Sequence, residues 1–158
     1  MKTFKLCLMI AVCLTAVSSL NAQSKKEQRL AAASNMLTGG WKIDKDKTLA
    51  NAEKVGLEKE KLERLQGAIG GEMVMNFKAT GDFAAKVSTN KVSGKWKVAA
   101  VDTLYKKQYL VVNVELDGQK VDFHIVFLEK NFIKIWSKGE QEKGAGIFKR
   151  AKAEKKGR

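Results

Sequence analysis

The sequence predicts a mainly β fold: an eight-stranded antiparallel up-and-down barrel, with a helical segment between strands one and two and an N-terminal helix. Three observations carry this. From Met73 onward, apolar residues recur at every second position in a series of short runs. Tight turn signals join those runs, Asp117-Gly118 being the strongest. Two Gly-x-Trp units, Gly39-Gly40-Trp41 and Gly94-Lys95-Trp96, fall within strands. There a glycine admits close approach of a neighbouring backbone, and a tryptophan fills the base of a core.

The elements follow in order. Residues 24–37 read as a helix, with Ser24 as cap, Glu27 three residues on, and Gly39-Gly40 as stop. Trp41, Ile43 and Asp44 begin the first strand. Thr48 is expected to cap a second helical region that runs to about Ala68 and breaks at Gly56. Its second piece puts Leu62, Leu65 and Ile69 on one stripe, a pattern that packs on a core or over an opening. The period then changes to two. Met73, Met75 and Phe77 alternate first, and the turn at residues 79–82 leads to Phe83, Ala85 and Val87. Thr89-Asn90 is expected to turn the chain into Val92, Gly94, Trp96 and Val98. Leu110, Val112, Val114 and Leu116 follow, and Val121, Phe123, Ile125 and Phe127 answer them across Asp117-Gly118. Phe132 to Ser137 and a run near Ala145 to Arg150 complete eight. The competing architecture is an open sheet under helices. The chain has no proline to protect sheet edges, which favours closure.

The ends are not part of the barrel. Lys2 and Lys5 precede the apolar run from Leu6 to Val17, and small residues lead to Ala22, the pattern of a cleaved secretory signal over residues 1–22. Val12 is bulky where lipid attachment at Cys13 needs a small residue, so cleavage is favoured over an anchor. Residues 23–38 form the N-terminal helix and linker, 39–150 the barrel domain, and 151–158 a basic tail. Cys7 and Cys13, the only cysteines, leave with the signal. The expected location is therefore the periplasm, envelope or exterior, with no disulfide, thiolate metal site or cysteine nucleophile. The formal net charge is +13, concentrated toward both ends. The tail is read as a solvated segment with an anionic envelope surface as its alternative partner. Nucleic acid is not expected, because no aromatic residues interleave with the tail's lysines.

The order of these motifs resembles the small exported lipocalin-like proteins. The residues concerned are Gly39-Gly40-Trp41, the helix before strand two, the hairpin from Asn76 to Phe83 and Ser93-Gly94-Lys95-Trp96. The resemblance covers about Met36 to Arg150. It implies a barrel that holds a small apolar or amphipathic ligand, and Arg150 or Lys149 packed over Trp41. The chain departs from larger lipocalins in two ways: its helix lies between strands one and two, and it has no disulfide.

Catalytic chemistry is not expected. His124, the only histidine, shares an outward face with Lys120 and Asp122 and is read as an exposed strand residue. No nucleophile elbow, phosphate loop or metalloprotease motif occurs, and no metal or cofactor is expected. The inward residues Met73, Met75, Phe77, Phe83, Val112, Phe123, Ile125 and Phe127 are the candidate ligand contacts. Trp41, Gly94, Trp96 and Arg150 are the candidate structural core. A barrel of eight strands either fills its interior or holds one small ligand, and the sequence leaves both open.

Overall fold

Trp41 and Arg150 lie opposite one another where the first strand meets the last, and that pairing closes the barrel. The computed structural model describes residues 23–104, 107–129, 131–140 and 142–151. The predicted signal (1–22) and most of the predicted tail (152–158) lie outside the described residues. Helix α1 spans 23–37. Strand β1 (Gly39–Ile43) is followed by α2 (Lys45–Lys54) and α3 (Lys59–Ala68). Then come β2 (Met73–Phe77), β3 (Asp82–Val87), β4 (Asn90–Leu104), β5 (Lys107–Leu116), β6 (Gln119–Glu129), β7 (Phe132–Ser137) and β8 (Gly146–Arg150). Every neighbouring pair is antiparallel and β1 also pairs with β8. The open-sheet alternative is thereby excluded.

Turn chemistry sets the register. Asp117 and Gly118 both have positive φ, 48° and 79°, between the paired residues Leu116 and Gln119. This is the left-handed two-residue turn whose twist matches that of the flanking strands. The β3–β4 turn falls one residue earlier than expected. Val87 pairs with Asn90, so Ser88 and Thr89 make the turn, and Ser88 takes a φ of 55°. Its N–H donates to the Glu72 carbonyl at 2.6 Å, a bond that fixes the earlier register.

Gly94 explains how β4 lies so close to β5. A Cβ placed there would sit 1.8 Å from the Glu115 carbonyl oxygen. Beyond it, a bulge between Val98 and Ala100 shifts the alternation, so Val101 rather than Ala100 lies opposite the inward Leu110.

The start of α2 also corrects the sequence reading. Asp44, expected in the strand, is the N-cap, and its carboxylate accepts from the Lys47 N–H at 3.0 Å. Thr48, expected as the cap, is fully buried one turn inside the helix. Its hydroxyl accepts from the Ile147 N–H at 2.9 Å and donates to the Asp44 carbonyl at 2.7 Å. The Asp44 N–H donates to the Ile147 carbonyl at 2.8 Å. Helix α2 is thus bonded to β8 by a threonine that satisfies a strand amide, and a buried amide needs such a partner.

Two outcomes follow from these contacts. Gly94→Ala destabilises the protein by about 3 kcal/mol in chemical denaturation, at the upper end for forced overpacking, because the obstacle is backbone. Thr48→Val keeps the shape but strands the Ile147 N–H, a loss of about 1–3 kcal/mol. Wild-type stability in either variant contradicts the corresponding contact.

Candidate functional site

The inward faces of the strands form rows across the sheet. Trp41 lies beside Met75, then Ala85, then Val92. Phe77 lies beside Phe83, then Gly94, then Leu116. Val98, Val112 and Phe123 form another row, and Leu110, Ile125 and Ile135 the next.

These rows are not equally open. Trp41, Phe77, Val112, Val114, Ile125 and Ile133 have no exposed surface. Phe77 packs on Phe83 and on Trp96, with ring centroids 5.1 Å apart in both pairs. The Trp96 indole N–H donates to the Lys78 carbonyl at 2.9 Å and pins the hairpin below it. The middle of the barrel is therefore a sealed core. Leu37 and Ala33 of α1 and Ile69 beyond α3 belong to the same buried cluster, with Leu65 packed against it.

The candidate ligand residues divide accordingly. Phe77, Phe83, Val112 and Ile125 are buried in the sealed centre. Phe127 is half-buried and packs edge-on against Trp41, at 6.4 Å. Phe123 is half-buried on another part of the wall. Met73 and Met75 are half-buried on β2; Val87, opposite Met73, is 39% exposed, and Val92, across Ala85 from Met75, is 38% exposed. Together with Ala85, these residues make an apolar band at the end of the barrel where β3 turns into β4. The eight residues do not line one pocket. The methionine side opens to solvent as a continuous apolar strip, and Phe127 lines a separate depression of about 440 Å³ with the exposed Met36 and Leu128.

Arg150 holds the seam. Its guanidinium carbon lies 4.3 Å from the Trp41 ring centroid. Its two terminal nitrogens donate to the carbonyls of Thr38 at 2.9 Å and Met36 at 2.6 Å, at the end of α1. The Trp41 indole N–H donates to the Leu37 carbonyl at 2.8 Å. One cation and one indole thus satisfy three carbonyls that the helix terminus leaves open. Gly39, at a φ of 128°, makes room: a Cβ there would meet an Arg150 nitrogen at 2.9 Å. Lys149, the other residue considered for the tryptophan face, points outward and lies 5.8 Å from the Phe132 ring.

The outer wall carries a layer that the sequence reading missed. Trp136, Lys134 and Ile147 face outward yet are buried. Lys134 donates to Glu142 at 3.0 Å in the connection before β8. His124 also departs from expectation: it faces outward but is half-buried. Tyr109 and Trp136 flank it, at centroid distances of 5.2 and 5.5 Å. The Tyr109 hydroxyl donates to Asp102 at 3.2 Å. Burial, and then that carboxylate, raise the phenol above its ordinary pKa. The signal for this layer was the pairing of Trp136 with Lys134 two residues away on one face, since a tryptophan on a polar face needs cover.

Carboxylates elsewhere sit among lysines. Glu72 accepts from Lys86 at 2.8 Å and Lys42 at 3.1 Å, and these bonds hold its pKa below the ordinary value. Lys95, then Thr80, act likewise on Asp82. Among the described residues, no group of three or more His, Cys, Asp or Glu side chains is placed to hold a metal ion. No described helix is long and apolar enough to cross a membrane.

No family model and no curated protein matches this chain. A solved structure described as a DUF4847 family protein from Bacteroides vulgatus ATCC 8482 is similar over 74% of this chain and 95% of that one, at 17% identity and a TM-score of 0.38. The closed antiparallel barrel of eight strands fits a lipocalin-like barrel protein.

Arg150→Ala removes the stacking and both carbonyl bonds, and lowers stability by about 2 kcal/mol. Arg150→Lys recovers less than half of that in chemical denaturation, because a single ammonium cannot span two carbonyls while lying flat on the indole. Full recovery with lysine contradicts the fork geometry.

Proposed function

We propose that the protein is an exported, non-enzymatic lipocalin-like barrel that holds a small apolar or amphipathic ligand at its mouth, not at its centre. The observation that carries this is the contrast between two inward rows. Phe77, Val112 and Ile125 have no exposed surface, whereas Met73, Met75, Val87 and Val92 keep part of theirs. Methionine side chains adapt to irregular apolar partners, and Ala85 between Met75 and Val92 leaves space over the strip. Residues 1–22, read as a secretory signal, support export.

A second reading, an envelope module that binds anionic material, is favoured by the outer wall. Among the described residues, Lys91, Lys97 and Lys120 form none of the ion pairs that occupy Lys42, Lys86 and Lys95. Salt would weaken such binding, whereas an uncharged ligand at the mouth is insensitive to it.

The mouth is tested with N-phenylnaphthylamine, an uncharged apolar fluorescent probe. The mature chain binds it with salt-independent affinity, and Ala85→Trp, which fills the strip, weakens binding about tenfold, equivalent to roughly 1.4 kcal/mol. Lys120→Trp, on the outer wall of β6 away from the strip, leaves binding unchanged. Equal effects from the two variants, or no binding by the wild type, overturn the proposal.

A further inference from the structure

On the outside of β2, β3 and β4, the register sets Asn76, Ala84 and Ser93 in one row and Val74, Lys86 and Lys91 in the next. Ala84 and Ser93 are short, and a depression of about 490 Å³ opens over them, bounded also by Ala85 and Val92 at the edge of the mouth strip. That volume lies within the roughly 300–1,000 Å³ typical of small-ligand sites. Val74 and Ala84 supply an apolar floor. Asn76 and Ser93, both exposed, supply an amide and a hydroxyl.

The charge around the depression is positive. Lys86 and Lys42 share Glu72, and Lys95 pairs with Asp82. Lys91 has no carboxylate in ion-pair range among the described residues. Among the described residues, lysines thus outnumber Glu72 and Asp82 on this wall, and their lysine partners hold both carboxylates below their ordinary pKa.

We propose that this depression binds a segment of acidic polysaccharide built from uronate sugars. The C–H face of a sugar ring rests on Val74 and Ala84, its hydroxyls pair with Asn76 and Ser93, and its carboxylate meets Lys91 and Lys86. The site rests on the surface-binding reading above and places it on the barrel wall instead of the tail. An anionic membrane fits less well, because interfacial binding inserts Trp, Phe or Leu side chains, and the apolar residues of this recess are two valines and two alanines. Nucleic acid fits less well again, since no aromatic side chain is present for a base to stack on.

The test uses the mature chain and polygalacturonate in titration calorimetry. Binding weakens as salt rises, and Lys91→Gln lowers affinity about fivefold. Ala84→Tyr, which fills the recess without changing charge, lowers it at least as much. Removal of residues 152–158 leaves most of the affinity. Polygalacturonate binding that survives Ala84→Tyr overturns this site while the surface-binding reading stands. Absence of binding in the wild type overturns both. Tighter, Ala84→Tyr-sensitive binding to phosphatidylglycerol vesicles or duplex DNA overturns the choice of polysaccharide.

Discussion

The stack of Arg150 on Trp41 is the join on which the rest of the fold depends. An antiparallel meander becomes a barrel only when its first and last strands pair, and Trp41 opposite Arg150 is part of that pairing. The same guanidinium binds the last carbonyls of α1, so the helix is fixed to the seam that it precedes. The Trp41 indole adds a third bond to the helix end and is itself fully buried. A cation held flat on an aromatic face and bonded to carbonyls loses little to solvent competition.

Closure has a consequence for function. Large inward side chains on β1, β2, β5, β6 and β7 meet in the middle and leave it without exposed surface. Surplus apolar surface therefore remains where partner strands run out. Leu116 pairs with Gly94, the limit of the β4–β5 ladder, so Val92 has no neighbour from β5. Val92 stays partly exposed for that reason, and Met73, beyond the last β1–β2 pair of Lys42 and Val74, lacks a neighbour on β1. The two faces of this one wall also have different chemistry. Ala85 faces inward and Ala84, one residue away, faces outward beside Asn76, Lys86 and Ser93, and the recess reaches both.

The eight strands were legible because each carries a period of two between recognisable turns, and Asp117-Gly118 takes the left-handed geometry its composition implies. Gly94 was legible as a point of close approach, although its obstacle, the Glu115 carbonyl, is known only from the fold. Local signals misled where a tertiary contact prevailed. Thr48 has the composition of a helix cap, but the Ile147 amide claims its hydroxyl and Asp44 caps instead. His124 sits on the polar side of its strand, yet Tyr109 and Trp136 enclose it. The candidate ligand residues were correctly inward, but period alone does not say which inward positions meet others and which overhang the end. That depends on strand stagger, which the bulge after Val98 alters.

We propose a sealed barrel that presents a ligand-holding apolar strip at its mouth after export. Native mass spectrometry of the protein purified from its own host tests this most directly. The expected species is a chain beginning at Gln23 that carries one small apolar or amphipathic molecule, released on unfolding. A chain that retains residues 1–22, or that is recovered only with no bound molecule, would contradict it.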